Sequence, residues 1–156
     1  MRIAEADREV VVAEALALAD ELPPGEARVE FQELAYAAEQ GDVPGDLAER
    51  LGDLTAATLE TGRARAVHGP GGVRTLTGVW RETPQGRAVS AGVEELNSAL
   101  RAVHGQPVEG VRVAVTGPGS YAVVISAGPY ELRVALDRDG ATLRSVNVGG
   151  AAGAGE

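Results

Sequence analysis

Few residues of this sequence could carry nucleophilic, acid–base or metal chemistry. The chain has no cysteine and no lysine, and it has two histidines, His68 and His104. Its basic side chains other than histidine are all arginine. Thiolate catalysis, cysteine-bound zinc and lysine-based Schiff-base or phosphate-loop chemistry are therefore excluded. Neither histidine belongs to an HxH or HExxH pattern, and His104 falls where a helix is expected to end, which suits a positive side chain. We expect no catalytic residue, no bound metal and no cofactor.

Two glycine-rich stretches are the other candidates for a binding site. HGPGG (68–72) and TGPGS (116–120) each place glycines around a proline. A phosphate cradle needs a strand, a glycine loop and then a helix N-terminus, whereas strand-forming residues follow both stretches. Glycine also supplies the positive φ that tight turns require. We therefore predict two turns, the first of them in a β-hairpin that pairs residues 63–68 with residues 73–80.

The charges of the chain are unevenly distributed. The net charge is −9 at pH 7, and residues 1–60 contain 15 acidic residues and 4 arginines, whereas residues 61–105 contain 6 arginines and 3 acidic residues. Such asymmetry is typical of a protein with two different faces or partners. The N-terminus lacks a basic signal-peptide region, and the longest apolar stretch, residues 10–19, contains Glu14 and is too short to span a bilayer. We expect a cytoplasmic protein that does not bind membranes.

The hydrophobic period of residues 1–105 is helical. Apolar residues recur at helical spacing, and proline or glycine turns separate the periodic segments. Thr83 is a suitable N-cap for the last helix because Pro84 suits the first helical position. The predicted helices cover residues 4–22, 26–40, 46–62 and 84–104.

From Gly110 onward the hydrophobic period changes to two. Four short runs separated by glycine turns predict a four-stranded antiparallel meander. Val111, Val113 and Val115 alternate with arginine, alanine and threonine, which predicts one buried face and one wet face. The fold expected is thus α+β: a helical part with a wing-like β-hairpin, then a helix and the meander. We predict a helical part over residues 1–105, the meander over residues 106–148 and a flexible tail over residues 149–156. These parts can all belong to one domain.

Residues 45–103 resemble, in outline, the winged helix-turn-helix domain of MarR-like regulators. DLAERLGD (46–53) is similar to its second helix, LETGRARAVHGPGGVRTLTGVW (59–80) to the end of its recognition helix and the wing, and ETPQGRAV (82–89) to the segment opening the next, often dimerising, helix. The resemblance implies nucleic-acid contacts by the wing residues Arg63, Arg65 and Arg74. The segment that would correspond to the recognition helix, GDLTAATLETG (52–62), contains two acidic residues and no basic residue. Recognition helices contact the edges of DNA bases with Arg, Lys, Asn or Gln.

Two main function hypotheses follow. The first is a non-enzymatic interaction or assembly module that binds a second copy of itself and another protein but not nucleic acid. Its candidate interface residues are Val10, Val11, Val12, Leu16 and Leu18 of the first helix and Val89, Val93, Leu96, Leu100 and Val103 of the last, which are also suited to a monomer core. The second is a winged-helix DNA-binding regulator. A third, an enzyme or ligand carrier with its site on the sheet, has less in its favour.

Overall fold

The computed structural model describes residues 1–137 and 140–149. Its order of helices followed by strands confirms the α+β class and the antiparallel meander that the sequence predicts. The elements are α1 (Glu5–Glu21), α2 (Glu26–Gln40), α3 (Gly45–Glu60), α4 (Arg63–Glu82), α5 (Pro84–Ala102), β1 (Val108–Gly117), β2 (Ser120–Ala127), β3 (Tyr130–Asp137) and β4 (Gly140–Val148). The predicted flexible tail lies outside the described residues except for Gly149.

Two compact units make up the chain, Met1–Arg87 and Ala88–Glu156. The first is a helical unit in which α1 packs against α2, α3 and α4, and α3 packs against α4. Each of these helices contributes a fully buried aliphatic side chain, and these are Val11, Leu34, Leu51 and Leu76. Alanines fill much of the remaining core, so the scarcity of aromatic residues does not prevent this unit from closing around its own interior.

The predicted hairpin over residues 63–80 is wrong, because this segment is the helix α4. Gly69, with φ 65° and ψ −164°, interrupts it, and Pro70 opens the second half, where its missing N–H and fixed φ cost the helix nothing. After the kink Leu76 and Val79 are buried at helical spacing. Burial of this apolar face outweighs the poor helix propensity of the glycines.

A close approach within α4 also requires glycine. A Cβ atom at Gly72 would collide with the side chain of His68. The glycines that suggested a turn therefore have two separate purposes: Gly69 provides the positive φ of the kink, and Gly72 makes room for the residue one turn earlier. The strands needed for a wing are not formed by residues 63–80.

The start of α5 follows the prediction closely. The backbone N–H of Gly86 donates a hydrogen bond of 3.2 Å to the Thr83 hydroxyl, which makes Thr83 the N-cap of the helix. Farther along, Val89 and Gly92 lie against Gly140 and the Ala141 carbonyl at the start of β4. This part of α5 therefore lies near the start of β4.

The four strands form an antiparallel sheet in the order β1-β2-β3-β4. Val113 pairs with Val123, and Val123 pairs with Val134. Residues on one face are consequently apolar across the sheet: Val111, Val113 and Val115 on β1, Tyr121, Val123 and Ile125 on β2, and Leu132, Val134 and Leu136 on β3. Register shifts interrupt β1 near both ends, between Val108 and Gly110 and between Val115 and Gly117, and a further shift lies between Arg133 and Val134.

Within residues 1–137 and 140–149, no helix combines the length and the apolar character needed to cross a bilayer.

Candidate functional site

A buried carboxylate lies between α1 and α4. Glu14 is only 2% exposed, and it is the single charged residue in the apolar stretch 10–19. Its Oε2 accepts a hydrogen bond of 2.7 Å from Arg63 Nε. Its Oε1 lies 2.7 Å from His68 Nε2. The first half of α4, before the Gly69 kink, supplies both partners.

The electrostatics of this cluster explain its composition. A carboxylate removed from water is costly unless it is paired and hydrogen-bonded, and here each oxygen has a nitrogen partner. The hydrogen bond to Glu14, followed by charge attraction, raises the pKa of the Arg63 guanidinium above its ordinary value. The imidazole donates to Glu14 when its Nε2 carries a hydrogen, so the contact fits the tautomer of His68 with the hydrogen on Nε2.

A cavity of about 120 Å³ adjoins the carboxylate. Its walls include Glu14, Arg63, Leu54 and Thr58. The Thr58 hydroxyl donates a 2.7 Å hydrogen bond to the Leu54 carbonyl within α3. The hydrogen of this hydroxyl is therefore directed to the helix backbone and not into the cavity. Both oxygens of Glu14 are engaged by residues of α4, so the cluster joins α1 to α4.

No metal site accompanies this cluster. Within the part of the chain that the structure describes, no group of three or more histidine, aspartate or glutamate side chains could hold a metal ion. His104 is exposed beyond the end of α5. Its backbone N–H donates a hydrogen bond of 3.2 Å to the Arg101 carbonyl. Its position agrees with the helix-end interpretation of the sequence.

The second candidate site is the apolar face of the sheet. Val111, Val113 and Val115 are 57%, 66% and 74% exposed. The sequence predicts that this face is buried, and for β1 that prediction is wrong. Leu132 and Val134, on the same face of β3, are buried as predicted. The covered part of the face is thus on the β3 side, and the β1 valines form an uncovered apolar stripe along an edge strand.

The candidate interface residues of α1 are divided between the core and the surface. Val11 is fully buried in the helical unit, so it belongs to the core and is not available to a partner. Val10, Val12 and Leu18 pack against that core and are partly buried, whereas Leu16 is exposed. The apolar character of α1 is therefore explained mainly by packing inside this unit.

The seam of α5 retains more accessible apolar surface. Val93 and Leu100 are exposed, while Val89, Leu96 and Val103 are partly buried. This part of α5 is within the second unit, as is the exposed valine stripe of β1. The structure thus places the accessible apolar residues of the candidate interface mainly in the second unit.

The three candidate nucleic-acid contacts do not form one cluster. Arg63 is bound to Glu14, whereas Arg65 and Arg74 are exposed and have no ion pair among the described residues. Arg74 and Arg81 are seven residues apart in the second half of α4 and are both exposed, so they share a helix face.

Comparison with protein-family models, curated proteins and solved structures finds no match to this chain.

Sequence reasoning missed the pairing of Glu14 with His68. The available signal was Glu14 itself, since a charged residue on the core side of an apolar helix needs a partner. The sequence does not identify the partner, because the predicted hairpin over residues 63–80 separates His68 from α1. With α4 as a helix, the same residues come together.

Proposed function

We propose that the protein is a non-enzymatic assembly module that forms a homodimer through β1, the edge strand that carries the exposed part of the apolar face of its sheet. The observation that carries this proposal is the exposure of Val111, Val113 and Val115 on β1. Contiguous exposed apolar surface of this kind is typical of interaction sites. Another protein is expected to bind the dimer, and the resemblance to a winged-helix domain does not contribute to this proposal.

A second copy fits this edge because β1 can pair with itself. In the described residues β1 has one neighbouring strand, β2, so its other edge presents unpaired backbone groups. A two-fold axis normal to the sheet would pair two β1 strands antiparallel and would keep both apolar faces on the same side. An interface of this type is self-complementary.

The bulges and the charges of β1 favour one register. The register shifts near both ends leave residues 110–115 as the regular part of the strand, so the axis would pass near Arg112 or Val113. An axis at Arg112 would place two arginines directly opposite each other, which is destabilising. An axis at Val113 instead pairs Val111 with the partner's Val115, and Arg112 with the partner's Ala114.

The valines alone do not account for a tight dimer. Edge pairing covers each valine only on the side that faces the partner strand, so each contributes less than the about 1 to 2 kcal/mol that burial of its whole exposed part would give. Association costs about 4 to 15 kcal/mol, so the six valines of the dimer offset only part of that cost. The remaining affinity would come from the backbone pairing of the two β1 strands.

The mass in solution tests the proposal. Light scattering at tens of micromolar is expected to give the mass of a dimer, and Val113→Lys to give that of a monomer, because two ammonium groups would meet at the axis. Val67→Lys is the matched control, since Val67 is an exposed valine of α4. A monomer mass for the unmodified chain, or equal effects of the two substitutions, would contradict the proposal.

A DNA-binding regulator is the second candidate, and it is favoured by the shared face of Arg74 and Arg81. The test is a titration of labelled duplex DNA at about 50 mM and about 200 mM salt, where phosphate neutralisation gives binding that weakens steeply with salt. Arg74→Ala with Arg81→Ala is expected to flatten that dependence, and Arg101→Ala in α5 is the control. Absence of binding at the lower salt would exclude this candidate.

A further inference from the structure

A long groove on the helical unit lies between α2 and α3. Two adjoining cavities, of about 610 and about 580 Å³, share Val29, Glu33, Asp46 and Leu47 in their walls. The second also contains Tyr36. Val29 is 49% exposed and Tyr36 is 67% exposed, so the groove has an accessible apolar floor. We call it the acidic groove because of the side chains that flank this floor.

Carboxylates follow the groove in two rows. On α2 they occur at spacings of four and three residues, and on α3 at spacings of three and four, so each row keeps to one face of its helix. The rows are Glu26, Glu30 and Glu33 on α2, and Asp46, Glu49 and Asp53 on α3. Among the residues that line the two cavities, Arg50 is the one cation, and it pairs with Glu30 at 2.9 Å.

The arrangement does not suit a metal ion or an anionic partner. The carboxylates are spread along the helices, and no metal-holding cluster occurs within the described residues. DNA and anionic membrane surfaces would be repelled by two rows of negative charge. A partner that is apolar in the middle and positive on both sides would match both the floor and the rows.

We propose that the acidic groove binds a basic amphipathic helix of another protein. From Glu26 to Tyr36 the groove follows α2 for about 15 Å, or close to three helical turns. A helix with apolar side chains at positions i, i+3, i+4 and i+7 fills a groove of this length. Arginines or lysines on its two flanks would face the carboxylate rows. None of the residues that line the groove belongs to β1, so the proposal does not depend on dimerisation.

The experiment uses the full chain and three synthetic fluorescent peptides of about 15 residues, a length that can hold a helix. The first has leucines at the helical spacing with arginines on both flanks. The second has the same composition in scrambled order, and the third replaces the arginines by glutamates. Fluorescence anisotropy is expected to show binding of the first peptide, weakened by salt, and at least about tenfold weaker binding of the others.

Variants locate the binding. The double variant Glu33→Arg with Glu49→Arg is expected to weaken binding of the first peptide by about tenfold or more. Tyr36→Ser, which leaves the charge of the groove unchanged, is expected to weaken this binding by a similar factor. Glu94→Arg with Glu95→Arg is the charge-matched control on exposed positions of α5 and is expected to have an effect below about threefold. Circular dichroism melting checks that each variant is folded.

Three results would overturn the proposal. One is equal binding of the ordered and scrambled peptides, which would mean that charge alone is being measured. Another is equal weakening by the groove and control variants. The third is a change in the mass of the protein with the groove variants, since the groove would then be occupied by a second copy. Val113→Lys is expected to retain peptide binding, which separates this proposal from dimerisation.

Discussion

Removing the buried carboxylate of Glu14 is expected to destabilise the helical unit substantially. Glu14→Ala deletes the hydrogen bond with His68, a residue whose side chain is only 17% exposed. Hydrogen bonds to charged groups contribute about 1.5 to 3 kcal/mol, and a lost buried methylene adds about 0.8 kcal/mol. We therefore expect the free energy of unfolding to fall by about 2 to 4 kcal/mol. The loss of the hydrogen bond with Arg63 adds no comparable cost, because the partly exposed Arg63 side chain can turn toward water.

Urea denaturation followed by circular dichroism measures this change. The matched control is Glu9→Ala, an exposed glutamate on the same helix, where the change is expected to stay within about 0.5 kcal/mol. Combining Glu14→Ala with His68→Ala should cost less than the sum of the two single changes, because the hydrogen bond can be lost only once. If Glu14→Ala is as mild as Glu9→Ala, the cluster does not hold α1 and α4 together.

Three further predictions concern α4. Leu76→Ala is expected to lower the free energy of unfolding by about 2 to 5 kcal/mol in urea denaturation, since Leu76 is fully buried. Gly69→Ala is expected to lower the melting temperature, because the combination of φ 65° and ψ −164° at this position costs a residue with a side chain about 1 to 3 kcal/mol. Gly78→Ala is expected to raise it by the equivalent of about 0.5 to 1 kcal/mol, since Gly78 is mid-helix with open space around its Cβ position; a decrease for Gly78→Ala would argue against a helix at this position.

Most of the fold follows from local sequence signals. The bounds of α2 match the periodic segment 26–40, and the capping role of Thr83 follows from the proline after it. The change of period after Gly110 identifies the meander because turn glycines separate its strands. These features depend on residues that are neighbours in the chain, which is the kind of information that periodicity contains.

The α4 segment could not be assigned in the same way because its glycines have two local explanations. Glycine at positive φ suits a hairpin turn and a helix kink equally well. The choice depends on where Leu76 and Val79 are buried, and their neighbours are contributed by helices distant in sequence. The same limit applies to Glu14, whose partner His68 is 54 residues away in the chain.

The valine stripe of β1 shows a different limit, because alternation identifies two faces but does not say what covers them. The pattern of Val111, Val113 and Val115 is the same whether a helix, a second copy or solvent lies above it. The bulges near both ends of β1 and Arg112 between the valines add the missing constraint. They shorten the pairing segment and disfavour the register centred on Arg112, so an edge strand that would otherwise pair in several ways is directed toward one. Arg112, a charged residue in the middle of β1, is therefore the residue that favours a two-fold axis at Val113 in the proposed dimer.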